Sequence, residues 1–323
     1  MYYHLFLKKN MFIQAKNKSL TSTLNITFIP SFIFIDMNNR TFTLLNGLII
    51  FLILSFSAVV CVPFIASAML VPDDKGVMME NYHGVQRKVY NPLSVAIGGM
   101  EYYLEYKNHG NKESKQYFIN TADWLVNNAN DKGKYSIWEY NFPWRFYGWI
   151  SPPYSSALAQ AQGLNVLLAA YDLTKNEKYL IEANKALGAF LVDYENGGVV
   201  SNEDGDSLFL HLLAKPGFQK IYVLNGHTWS LLLLWDYYQQ TQDPAVKAIF
   251  DKGIKWLREN LWKYDTGTWS NYDQMENLAL PEYHTLHITQ LANLYEITGE
   301  QIFKEYSDRF DRYNRNIPVD IPY

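Results

Sequence analysis

The sequence predicts an all-α-dominated fold: an (α/α) toroid or incomplete barrel of helical hairpins with small β-rich insertions, preceded by an N-terminal transmembrane or signal helix. Three observations carry that expectation. Apolar helical runs alternate with amphipathic ones along most of the chain. The apolar runs end in a recurring Tyr-x-x-Thr, at 171–174, 238–241 and 295–298. Residues 41–71 hold no charged side chain, over a length that crosses a bilayer.

At the front, Lys8, Lys9, Lys16, Lys18 and Arg40 precede the uncharged stretch, and Asp73 and Asp74 follow it. The positive flank stays cytoplasmic, so the remainder is expected to face outward. Two readings stay open: a signal anchor, or a signal peptide cleaved after the small-x-small run 66–68. Met37 is an alternative start that gives a conventional signal length. The domain expectation is therefore a tail at 1–40, an anchor or signal at 41–71, and a toroid over 72–323. The toroid lies on the extracytoplasmic side, tethered or secreted.

From residue 91 the pattern is helical. Residues 91–107 place Leu93, Ile97, Met100 and Leu104 on one face. Residues 156–173 form a second apolar helix, followed by a polar turn and the amphipathic run ending LVDY. Residues 226–241 and 284–298 begin the next two pairs. A fourth copy of the unit, near Tyr103 and Tyr106, lacks the threonine. Copies recur roughly every 55–70 residues, as stacked helix pairs with insertions do. The first helix of each pair is the more apolar and suits an inner ring, where Gly98, Gly99, Gly163 and Gly226 would let backbones approach closely. Residues 133–154 and 196–223 break the helical pattern and read as short strands with turns. Both insertions, and the opening stretch, lead into the first helix of a pair, so they should meet at one end of the toroid.

Composition narrows the chemistry. Net charge is −4 with no long basic run, which argues against a nucleic-acid partner. A single cysteine, Cys61, rules out a disulfide framework or a cysteine-rich metal site. The 25 tyrosines, 18 phenylalanines and 9 tryptophans exceed what helix seams need; a minority can line a groove, stacking on sugar faces and bonding hydroxyls. The polar, aromatic stretch 264–288 is the place to look.

Several strings there and upstream match one family. Residues 154–163, YSSALAQAQG, resemble its P-x-Y-S-A-x-A-Q-G-Q run, and 223–226 its VLNG helix start. YDTG at 264–267, YD at 272–273 and EYHTLHI at 282–288 resemble its YDTG…YD…DYHTxHI block. Roughly residues 85–312 thus resemble the catalytic domain of D-glucuronyl C5-epimerases. The resemblance implies a toroid that inverts C5 of glucuronate to iduronate within a polymer, with no redox cofactor, and it assigns proton transfer to Tyr272 and Tyr283. Departures are visible too. Ala214 and Lys215 stand where the animal enzymes have an acid–tyrosine pair, Ser155 where they have a tyrosine, and Met275 where they have an arginine.

The chemistry asks for such residues. Removing a proton α to a carboxylate needs the carboxylate neutralised, and inversion needs one group on each sugar face. A phenol suits the donor; as a base its pKa near 10 must be lowered by nearby positive charge. Arg145, Lys215, His284 and His287 are the available cations, with Arg145 suited to a bidentate carboxylate clamp. Tyr154, Gln160 and Asn225 complete the expected substrate contacts, Asn225 also as a helix N-cap. His284 and His287 lack an evident third ligand, so no metal is expected, although Glu203, Asp204 and Asp206 could hold a structural calcium. Expected partners are a uronate-containing glycan, the membrane through 41–71, and a second copy of the chain. A lyase, a glycoside hydrolase using Asp273, Glu276 or Glu282, and a non-catalytic glycan-binding protein remain open.

Overall fold

The computed structural model describes residues 70–81, 88–145 and 147–316. The anchor or signal expected at 41–71 lies outside them up to Met69; its last two residues, Leu70 and Val71, belong to a strand instead. Among the described residues no helix is long and apolar enough to cross a membrane.

The described residues from Val71 onward form one compact unit. It begins with a three-stranded sheet of β1 (Leu70–Pro72), β2 (Met78–Asn81) and β3 (Lys88–Val89). Helices α1 (Pro92–His109) and α2 (Lys112–Asn128) make the first hairpin. Short pairs β4 (Asn130–Asp131) with β5 (Ser136–Ile137), and β6 (Trp144–Arg145) with β7 (Trp149–Ile150), lead to α3 (Ala157–Thr174) and α4 (Glu177–Leu187). Strands β8 (Val200–Glu203) and β9 (Ser207–Leu210) lead to α5 (Leu224–Thr241) and α6 (Pro244–Asn260). A strand-free loop then leads to α7 (Pro281–Thr298) and α8 (Gln301–Arg315).

The helices pair α1–α2, α3–α4, α5–α6 and α7–α8, and the first helices pack in chain order, α1 on α3, α3 on α5, α5 on α7. That is an arc of four hairpins. Burial follows from position in it. The middle helices α3 and α5 have neighbours on both sides, and their buried residues run nearly all round. The partner helices α4, α6 and α8 bury single stripes, such as Val246, Ile249, Phe250, Gly253 and Leu257.

The recurring Tyr-x-x-Thr is a device for turning the chain. In α3, α5 and α7 the threonine hydroxyl donates to the carbonyl four residues back and accepts the N–H two residues on. The next residue is left-handed, Lys175 (φ 56°), Gln242 (φ 54°) and Gly299 (φ 71°), and its N–H closes on the tyrosine carbonyl. The residue after that caps the partner helix, as Asn176 and Asp243 do. The first hairpin uses Gly110 (φ 68°) and Asn111 in the same way without the threonine.

The inner-helix glycines admit side chains rather than neighbouring backbones. A Cβ on Gly163 would lie 2.5 Å from the Trp138 ring and one on Gly226 would lie 2.7 Å from Leu212, while Met78 and Thr121 fill the spaces at Gly98 and Gly99. The acids expected to hold calcium form the β8–β9 turn, with Asp204 and Gly205 both at positive φ. Their partners are protein groups: Glu203 accepts from Ser201, Lys220 and Tyr222, and Asp206 lies 3.6 Å from Lys255.

Candidate active site

Because each inner helix is followed by an antiparallel partner, the segments entering α1, α3, α5 and α7 gather at one end. The loop at 265–280 is the most heavily braced of them. Asp265 accepts from Arg309 Nη1 at 2.7 Å and the Tyr313 hydroxyl at 3.0 Å, tying the YDTG turn to α8. Gly267 takes φ 85°, and Thr266 both donates to and accepts from the Trp269 backbone. Trp269 donates its indole N–H to the Ala279 carbonyl at 2.7 Å and stacks on His284 at 3.6 Å.

Behind this loop, Ser270 Oγ lies 2.7 Å from His284 Nδ1 and 2.9 Å from His287 Nδ1. His284 Nε2 donates to the Phe310 carbonyl at 2.9 Å. Both imidazoles are fully buried. Burial pushes the His287 pKa down to about 3 and that of His284 below its ordinary value. Both are therefore neutral rather than the cations expected, and Ser270 ties them to the loop entering α7, while His287 Nε2 has no hydrogen-bond partner among the described residues.

The loop then presents Tyr272. Its N–H donates to the Asn277 carbonyl at 2.6 Å, and its carbonyl accepts the Leu224 N–H at 3.0 Å. That bond satisfies an orphan donor at the start of α5, where the N-cap Val223 offers no side-chain acceptor. The VLNG and YD strings thus meet in space. Asn225 is not the N-cap; it sits inside the first turn, buried, its Oδ1 without a hydrogen-bond partner among the described residues.

Tyr272 is 6% exposed, and its ring lies 5.0 Å from that of the partly buried Tyr283 at 51°. The two pack with Ile221, Val223, Leu212, Phe218 and Tyr147. Asp273 is fully buried beside them. Its Oδ1 accepts the N–H groups of Met275 at 2.8 Å and Asn277 at 3.3 Å, and its Oδ2 accepts Asn277 Nδ2 and the hydroxyl of Tyr147. Tyr147 is the site residue that sequence reasoning missed; its signal was membership of the same WRFYGW string as Arg145.

All three phenols are pushed above the usual tyrosine range. Burial is the largest cause for each, followed by Asp273 for Tyr147, by Tyr283 and Asp273 for Tyr272, and by Glu282 for Tyr283. At neutral pH they rest protonated, so one acting as a base must first ionise.

The remaining expected contacts are placed elsewhere. Gln160 is fully buried, accepting the Trp138 N–H and donating to the Ser136 and Ala186 carbonyls, so it braces α3 against β5 and α4. Tyr154 is 4% exposed and stacks between Tyr140 at 4.9 Å and Trp144 at 6.0 Å, as part of an aromatic core. Arg145 lies in β6 with its backbone opposite Trp149; its side chain is outside the described structure. Lys215 Nζ is held by Ser151. Ala214 and Ser155 exchange backbone hydrogen bonds, and Met275 is exposed. Among the described residues no cluster of three His, Cys, Asp or Glu side chains is placed to hold a metal ion.

Residues 131–312 match the family model described as D-glucuronyl C5-epimerase C-terminus. The chain belongs to the D-glucuronyl C5-epimerase family. It is 32% identical over 216 residues to D-glucuronyl C5-epimerase of Caenorhabditis elegans, covering 61% of this chain and 34% of that protein. An uncharacterized protein of Methanocaldococcus jannaschii is 29% identical over 243 residues, 72% of this chain and 79% of its own. The fold is similar to that of cellobiose 2-epimerase from Spirochaeta thermophila, with TM-score 0.54, 11% identity, and coverage of 79% of this chain and 66% of the other. Within this D-glucuronyl C5-epimerase family member, Tyr147, Asp273, Tyr272 and Tyr283 all fall inside the matched span.

Proposed function

We propose that the protein inverts C5 of D-glucuronate residues to L-iduronate within a glycan, using Tyr272 and Tyr283 as its proton-transfer groups. The observation that supports this reading is the Tyr272–Tyr283 contact, carried on family motifs and set beside the buried Asp273–Tyr147 pair. One phenol, once ionised, takes the C5 proton, and the electron pair of the C–H bond passes into the carboxylate as an enolate. The other phenol returns its own proton to C5 from the opposite face. Base and acid have then exchanged states and reset through solvent.

Rings 5.0 Å apart leave no room for a pyranose between them. The two-faced reaction therefore requires Tyr283, the more exposed ring, to turn away from Tyr272 as the sugar enters. Hydrolysis fits less well, since Asp273 is fully committed to the loop and to Tyr147 while Glu276 and Glu282 are exposed. The second reading is a glycan-binding protein without catalysis; the packed, upward-shifted phenols favour it. We place the domain outside the cytoplasm, on the charge asymmetry around residues 41–71.

Product analysis on a glucuronate polymer tests the proposal. New iduronate signals are expected from the wild type, falling about 10²–10⁴-fold in Tyr272→Phe and Tyr283→Phe with thermal stability kept. An ultraviolet-absorbing unsaturated uronate means a lyase, and new reducing ends mean a hydrolase. Full iduronate formation by both variants contradicts the assignment.

A further inference from the structure

A cleft of about 420 Å³ opens between β3, the entry to α1, the C-terminal end of α2 and the segment 138–142 that follows β5. It is of the size that holds one or two sugar units. Its aromatic wall is Tyr90 against Trp124, ring centroids 5.4 Å apart, with Phe142 beneath. The Tyr90 ring is held in place by its hydroxyl, which donates to Asp73 at 2.7 Å. Around the rings stand the amides of Asn127, Asn128, Asn130 and Asn141.

The charges in the cleft are one-sided. Glu139 is neutralised, with Lys132 at 2.8 Å and the Asn130 amide donating to it at 2.7 Å. Lys88 has no ion-pair partner among the described residues, and Asn127 no side-chain hydrogen bond. Flat rings flanked by amides suit a sugar's CH face and its hydroxyls. An unpaired ammonium beside them suits a carboxylate on that sugar.

The cleft also belongs to the same end of the arc as the tyrosines. Val89 and Phe142 line it and pack in one cluster with Tyr154 and Phe218. Phe218 in turn packs in the cluster of Tyr272 and Tyr283. Lys88, Trp124 and Asn127 lie before residue 131, where the family match begins.

We propose that this cleft is a second glycan subsite, which holds a uronate-bearing sugar of the chain other than the unit at the tyrosine pair. The proposal rests on reading the protein as acting on a glycan. A subsite of this kind contributes binding to remote parts of a polymer and leaves the reacting unit to the tyrosines.

Calorimetric titration of the full chain with a glucuronate–N-acetylglucosamine oligosaccharide of about ten sugars tests it, alongside the same oligosaccharide with its carboxyls reduced. About a tenfold loss of affinity is expected in Trp124→Ala and in the exposed-residue variant Asn127→Ala. Lys88→Ala should remove the preference for the unreduced probe. Unchanged affinity in Asn127→Ala and Lys88→Ala, or no binding of either probe, overturns the proposal. Exchange at C5 in heavy water reads the tyrosines separately. Exchange with unaffected cleft variants removes only the subsite, and cleft-dependent binding without exchange removes only the catalytic reading.

Discussion

At the scale of single residues, the decisive pair is Tyr272 and Tyr283, and burial sets their protonation. Both phenols are raised by loss of solvent, and neighbouring acids add to the effect. A base that must first ionise from above its ordinary pKa gains tenfold in active form with each pH unit below that value. The kcat/KM for epimerisation should therefore climb with near-unit slope from pH 7 to 9, with no plateau. A flat profile, or one peaked near neutrality, would show that a different group takes the proton. The sequence made this pair legible because motif strings name them. It did not make legible that His284, His287 and Gln160 are buried and bonded to protein groups, since an amide or imidazole reads alike whether its partners are ligand or backbone. The Ser270, Phe310 and Ala186 contacts show those partners.

At the scale of elements, the helical hairpins were readable from period, and their ends from Tyr-x-x-Thr. The helix α2 was not, because KESKQYFINTADWLVNN mixes polar residues and β-branched ones; Phe118, Thr121, Ala122 and Leu125 make a helical stripe only against α1 and α3. The short strands were legible as breaks in helical period, though not their pairing. The turn motif carries its own prediction. Lys175 holds a left-handed conformation that costs a non-glycine residue roughly 1–2 kcal/mol. Glycine removes that cost but loses roughly 0.5–1 kcal/mol of unfolded-state entropy. Lys175→Gly should stabilise the domain by about 0.5–1 kcal/mol, read as a higher midpoint in urea. A lower midpoint would mean that the exposed ion pair of Lys175 Nζ with Asp172, 3.3 Å apart, and the lysine stem matter more than backbone strain.

At the scale of the whole molecule, buried histidines couple the fold to pH, three of them strongly. Burial holds His211 down to about 4 and His227 and His287 down to about 3, so all are neutral when folded. The unfolded chain binds protons at these positions below about pH 6.5, so stability is full above that pH and is lost as pH falls toward the folded values. Each contributes a loss of up to about 2 kcal/mol at pH 5. The melting temperature should drop steeply between pH 6.5 and 4.5; a curve flat over that window would contradict the burial of these side chains. His287 joins the loop at 265–280 to the helical arc and His227 bonds the Gly253 carbonyl of α6, so acid should loosen the tyrosine site and the α5–α6 seam together.

The most direct measurement of the central claim is proton exchange at the sugar. Incubating the full chain with a glucuronate polymer in heavy water and reading C5 by nuclear magnetic resonance reports abstraction and return together. The account predicts deuterium at C5 in both glucuronate and newly formed iduronate, with Tyr272→Phe and Tyr283→Phe each losing net inversion, and one of them retaining exchange from a single epimer. Iduronate formed without deuterium at C5, or no exchange at all on a polymer that the protein binds, would contradict it.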